Sequence, residues 1–102
     1  MPESESKNPI ELSILMPVRD EAINIPIALK LINAAVETPH EVLIIYDRPD
    51  DNSVPAVVAL QSKYPEVRLI HNDLGRGILN ALRKGVEAAR GEFVFLSCVD
   101  EV

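Results

Sequence analysis

Leu12-Ser13-Ile14-Leu15-Met16-Pro17-Val18-Arg19-Asp20-Glu21 and, two dozen residues on, Glu41-Val42-Leu43-Ile44-Ile45-Tyr46-Asp47 decide how this chain folds. Each is an apolar run of strand length that stops abruptly at charged residues. Between them Ile27, Ala28, Leu31, Ile32 and Ala35 recur at helical spacing, the mark of one buried helix face. Strand, helix and strand in that order build a parallel sheet with right-handed crossovers. The run 41–46 is apolar without alternation, as expected of a strand buried on both faces. In an open parallel sheet, ligands sit just beyond the carboxyl ends of the strands. Arg19, Asp20, Glu21 and Asp47 should therefore gather along one edge.

The same alternation continues outward. The first strand is predicted over residues 11–16 and the second over 41–46. Asn24 reads as an N-cap, with Pro26 in the first helical turn, and Pro39 ends that helix. Asn52 or Ser53 caps a second helix, in which Val54, Val57, Val58 and Gln61 share a face and Tyr64-Pro65 closes the end. Residues 67–71 form a third strand. A third helix carries Ile78, Ala81, Leu82, Gly85, Val86 and Ala89 on one face, and Gly91 stands where a left-handed C-cap belongs. A fourth strand spans 92–97. The predicted fold class is α/β, a Rossmann-like subdomain whose parallel four-stranded sheet carries flanking helices in three αβα layers. Residues 1–10 are predicted as a flexible tail and residues 11–102 as the domain.

A chain of 102 residues suits one compact domain. The net charge is −6 and no basic stripe occurs, which argues against a nucleic-acid partner. Tryptophan is absent and aromatics are only 4%, so a base-stacking platform is excluded too. Cys98 is the single cysteine. No intramolecular disulfide can form, and a reducing, cytoplasmic setting fits. No apolar run nears the roughly 18 residues that span a bilayer, and the N-terminus lacks a signal-peptide pattern. The sequence ends at Asp100-Glu101-Val102, directly after the apolar run 93–96. We expect a fragment of a longer protein, whose fourth strand is exposed at an edge and favours self-association.

Several residues can carry chemistry. Asp47, at a strand's carboxyl end, suits a hydrogen bond to a base imide or a ribose hydroxyl; capping of local backbone is the equal alternative. Pro17 fixes the turn after the first strand. Arg19 has the planar fork that grips phosphate; pairing with Asp20 or Glu21 is its alternative. Gly75-Arg76-Gly77 precedes a helix, where glycine admits close backbone approach and the helix N-terminus favours anions; a plain turn explains it as well. Asp100 and Glu101 offer the hard oxygen ligands that suit Mg²⁺ or Mn²⁺, or form a charged chain end. Cys98 is a poor ligand for such a metal. His40 and His71 are isolated and read as structural.

Taken in order, these motifs resemble glycosyltransferase family 2. Pro17-Val18-Arg19-Asp20-Glu21 is similar to its opening Pro-x-Tyr-Asn-Glu, and Asn24-Ile25-Pro26 to the Asn-Leu-Pro that follows. Ile44-Ile45-Tyr46-Asp47 resembles Val-Val-Asp-Asp, and Asp51 lies near the Asp of the next Ser-Pro-Asp-Gly loop. Gly75-Arg76-Gly77 and the stretch 85–94 resemble the helix and strand before Asp-x-Asp. The set is most similar to the polyprenyl-phosphate branch, whose type is dolichol-phosphate mannose synthase. The resemblance implies a GT-A fold and sugar transfer from a nucleoside diphosphate sugar with Mg²⁺ or Mn²⁺, to a lipid-phosphate acceptor in that branch. It implies that Pro17, Arg19 and Glu21 line the nucleotide pocket and that Asp47 reads the base. Arg76 and Gly77 would flank the diphosphate, and Asp100, the second Asp of Asp-x-Asp, would hold diphosphate and metal. It implies a cytoplasmic protein, at the membrane surface when full length.

The departures are specific. Arg19 stands for the family's Tyr, Asp20 for Asn, Tyr46 for the first paired Asp, and Cys98 for the first Asp of Asp-x-Asp. They keep open a second reading, a nucleotide-binding or interaction module without catalysis.

Overall fold

The computed structural model describes residues 9–97. The predicted tail, apart from Pro9 and Ile10, lies outside them, as do Cys98, Asp100 and Glu101. Among the described residues the elements run β1 (Leu12–Pro17), α1 (Ile25–Ala35), β2 (His40–Tyr46), α2 (Ser53–Leu60), β3 (Val67–His71), α3 (Ile78–Ala88) and β4 (Phe93–Leu96). All pairings are parallel, in the order β3-β2-β1-β4. The register sets Ile14 beside Val42 and Phe95, and Val42 beside Val67.

Alternation along the strands divides the core in two. Ile14, Met16, Val42, Ile44 and Val67 face α1 and α2 and pack with Ile25, Ala28, Leu29, Val57 and Tyr64. Leu15, Leu43 and Ile45 face the other way and pack on Ala81 of α3, with Ile70, Leu82 and Ala88 at the margin. The three layers follow from the connections. The chain steps from β1 to β2 to β3 with α1 and α2 on one face. It then crosses back over β2 and β1 through α3, on the other face, to reach β4. The order therefore reverses between β1 and β4, and the crevice rule points to the carboxyl ends there.

The helix faces differ from the sequence expectation. In α1 the buried residues are Ile25, Ala28 and Leu29, while Ile27 and Leu31 are more than half exposed. The helix is apolar almost all round, so periodicity could not choose between two adjacent stripes. In α2 Val57 is buried and Val58 exposed. In α3 Ala81 and Gly85 are buried, whereas Ile78 and Val86 are exposed. Neither Asn24 nor Asn52 caps its helix with a side-chain bond. Asn24 Nδ2 donates instead to Glu21 Oε1 at 3.0 Å, and Asn52 Oδ1 accepts from the Ala22 amide at 3.1 Å. Gly91 is not left-handed; the positive-φ glycines are Gly75 and Gly77. Gly91 is small for another reason. A Cβ there would stand 2.8 Å from the backbone of Leu12 and Ser13, so α3 feeds β4 over β1 with no room for a side chain.

The amino end of the sheet closes on one carboxylate. Glu41 is 2% exposed. It accepts hydrogen bonds from Ser13 Oγ (2.7 Å), the Arg90 amide (2.7 Å) and Arg68 Nη1 (2.8 Å). Arg68 also donates to the Ala88 carbonyl, and the Gly91 amide to Ser13 Oγ. Burial works against the charge on Glu41, but the bonds from Ser13, Arg90 and Arg68 outweigh it and leave the carboxyl below its ordinary value.

Candidate functional site at the carboxyl edge

Three turns meet where β1 and β2 end. The first, after β1, is held by the second. Asp20 takes a positive φ of 54°, a conformation Asp tolerates better than most residues. Its amide donates to Asp51 Oδ1 at 3.0 Å, and the Glu21 amide to Ser53 Oγ at 2.8 Å. In return its carboxylate accepts the Asn52 amide at 3.2 Å and Arg48 Nη2 at 2.9 Å. The Asn52 bond first and Arg48 second lower the Asp20 carboxyl, while Arg48 is raised by the same pairing. Asp51, 2% exposed, also accepts from the Ser53 amide at 2.7 Å, so Asp51, rather than Asn52 or Ser53, meets the first amide of α2.

This stitching decides how Arg19 sits. Asp20, which sequence offered as its partner, is engaged with Arg48. Arg19 makes no hydrogen bond or ion pair among the described residues and lines a cleft of about 270 Å³. Around that cleft stand Pro17, Arg19, Glu21, Asp47 and Gly77, over a floor of Ile45 and Ala81. Five of the seven residues singled out from sequence are thus brought together. Arg76 is not: it lines an adjoining groove with Leu79, Asn80 and Arg83, which shares Gly77 and Ile78 with the cleft. Asp100 lies outside the described residues.

Asp47 is set by a residue the sequence reading passed over. Its Oδ1 accepts from Asn72 Nδ2 at 2.8 Å, and Oδ2 takes no hydrogen bond among the described residues. His71 Nε2 lies 3.1 Å from the Asp47 carbonyl. Opposite, Gly77 opens α3 with φ 112° and without a side-chain cap, so the first amides of that helix start beside the cleft unclaimed by a capping side chain. Asn72, just beyond β3, and Asp51, just before α2, each stand in an Asx turn. A buried Asn or Asp there was the signal available, but it does not distinguish a brace from a surface turn.

Among the described residues no three His, Cys, Asp or Glu side chains converge to hold a metal ion. The cleft's carboxylates, Glu21 and Asp47, do not form a cation site by themselves.

Strand order, layers and an edge cleft define a Rossmann-like α/β domain of the GT-A kind. Residues 13–101 match the model of glycosyl transferase family 2, and the chain belongs to that family. It is 31% identical over 93 residues to the uncharacterized glycosyltransferase YibD of Escherichia coli, covering 90% of this chain and 27% of that protein. It is 32% identical over 95 residues to a dolichol-phosphate mannosyltransferase of Saccharomyces cerevisiae, covering 89% and 35%. The chain thus spans about a third or less of the curated relatives it matches. Among solved structures, the mannosyltransferase PcManGT of Pyrobaculum calidifontis, in complex with GDP-Man and Mn²⁺, superposes with a TM-score of 0.77. That match covers 93% of this chain and 28% of that one at 24% identity, and it establishes the shared fold. No helix among the described residues is long and apolar enough to cross a membrane.

Proposed function

We propose that this chain forms the donor-binding part of a glycosyltransferase that moves a sugar from a nucleoside diphosphate sugar, with a polyprenyl phosphate as acceptor. The observation that carries it is the cleft gathering Pro17, Arg19, Glu21, Asp47 and Gly77 beside the strand-order reversal. The free Oδ2 of Asp47 suits a base imide or ribose hydroxyl. Arg19, which makes no hydrogen bond or ion pair among the described residues, suits a phosphate, and the uncapped start of α3 adds to the same pull on an anion. Similarity to dolichol-phosphate mannosyltransferases supports a lipid-phosphate acceptor, whose own oxygen is the nucleophile. For a protein of those relatives' length we propose a cytoplasmic position at a membrane surface.

Arg76 lines the adjoining groove, which meets the cleft at Gly77 and Ile78. Metal binding rests on Asp100, three residues past Ser97, whose amide donates to Leu15 at the β1 end. Mg²⁺ or Mn²⁺ would neutralise charge on the departing diphosphate. Because Cys98 replaces a carboxylate of that motif, a second reading stands: a nucleotide-binding module that needs no metal.

Calorimetric titration of the chain with UDP and GDP, with and without Mn²⁺, separates the two. Metal-dependent binding of one nucleotide supports the transferase, metal-independent binding the module, and no binding removes the donor site.

A further inference from the structure

We propose that Asn72 is the positioning residue of this cleft, fixing the Asp47 carboxylate and coupling it to the turn that starts α3. The inference rests on the donor-site reading for its ligand but not for its geometry. Asn72 is 5% exposed, and both hydrogens of its side-chain amide are spent. Nδ2 donates to Asp47 Oδ1 at 2.8 Å and to the Gly75 carbonyl at 2.7 Å. Both neighbours only accept, so the NH₂ end must face them and the amide has one allowed orientation. Oδ1 accepts from the Leu74 amide at 3.0 Å, and the Asn72 backbone amide donates to the Tyr46 carbonyl at 2.8 Å.

One buried side chain therefore joins the end of β2, the end of β3 and the turn 72–77. That turn leads into Gly77 and Ile78, which line the cleft together with Asp47. Asn72 turns Oδ1 of Asp47 away from ligand and leaves Oδ2 for it. It also sets the distance between the group that would read the base and the helix end that would meet the phosphates. Asn72 lines no cleft itself and touches no ligand, so its effect passes through Asp47 and Gly75.

The test uses Asn72→Asp, which keeps the shape but replaces the donor with a second carboxylate facing Asp47. Two carboxylates at this distance repel unless they share a proton. Other ionisable groups nearby are His71, the Asp73–Lys84 pair, and across the cleft Arg19 and Glu21; wild type at each pH controls for them. GDP and UDP are titrated calorimetrically at pH 8 and pH 5, each with and without Mn²⁺, melting temperature is followed in parallel, and the Gly75–Ile78 amide resonances are recorded without ligand.

We expect Asn72→Asp to bind at least tenfold more weakly than wild type at pH 8. It should return to within about threefold at pH 5, where the introduced carboxyl donates its proton to Asp47. The ligand-free amide resonances should follow the same pH step. Equal binding at both pH values, or equal loss at both with a folded protein, overturns the proposal. Should the variant not fold, Asn72→His, which keeps one donor, takes its place, with binding between the two extremes expected and wild-type binding contrary. If wild type binds neither nucleotide while the amide step is present, the donor reading falls and the coupling by Asn72 stands. If the step is absent, the coupling falls whatever the nucleotide does.

Discussion

Glu41, near the start of β2, and Asp47, just past its end, lie six residues apart and show what a carboxylate does in two settings. Asp47, at the carboxyl end, leaves one oxygen without a hydrogen bond among the described residues; Glu41 spends its oxygens on the protein at the amino end. Removing the first should cost chiefly binding. Asp47→Ala is expected to weaken nucleotide affinity by about tenfold or more, the worth of a hydrogen bond to a charged group, with a small drop in melting temperature because Asn72 Nδ2 loses its acceptor. Calorimetry and a thermal melt on the same sample check both. Removing the second should do the reverse. Glu41→Ala leaves Ser13 Oγ, the Arg90 amide and Arg68 without their shared acceptor, and should destabilise by about 3 kcal/mol in urea. The pH dependence follows from the sign of the shift. The folded carboxyl lies below the ordinary 4.5, so its contribution is present above that pH and fades as pH falls through the lower folded value. Glu41→Gln should flatten that acid slope, leaving the part due to Asp20 and Asp73, whose carboxyls are also lowered.

At the scale of elements, the turn between α3 and β4 gives the sharpest expectation. Gly91 packs on β1 backbone that cannot move aside, so Gly91→Ala should destabilise by about 1–3 kcal/mol, measured as a lowered urea midpoint. Gly85 offers a contrast: a Cβ there meets side-chain ends of Ile45 and Leu15, which can turn away, and Gly85→Ala should cost less. The strands were legible in the sequence because apolar runs of strand length ended at charge or proline, and β3 was found residue for residue. Helix faces were not, because α1 is apolar around most of its circumference and packing chose Leu29 over Leu31. The cleft was legible as far as the crevice rule reaches, which gathers strand-end residues such as Arg19, Glu21 and Asp47. Its bracing was not, since Asp20 reaching Arg48 and Asn72 reaching Asp47 join residues 28 and 25 apart. Such pairings depend on which turns the sheet brings together, and no local pattern records them.

For the molecule as a whole, β4 is the exposed flank. Phe93, Val94, Phe95 and Leu96 are 45–68% exposed, and β4 has β1 as its strand neighbour on one side. An apolar edge of this kind invites pairing with another chain. We expect the 102-residue chain to self-associate in sedimentation velocity as concentration rises, and Phe95→Lys to shift it toward monomer; a wild-type monomer throughout would refute the expectation. The Glu41 cluster has a consequence in time as well as in space. Its donors come from residues 13, 68 and 90, in or beside β1, β3 and β4. On a ribosome the carboxylate emerges early and its last donor some fifty residues later. Until then β1, β2 and β3 can offer it only Ser13 and Arg68, and closing them buries the carboxylate one donor short. The order of synthesis is therefore not the order of assembly: the early strands wait, and the sheet closes in one late step.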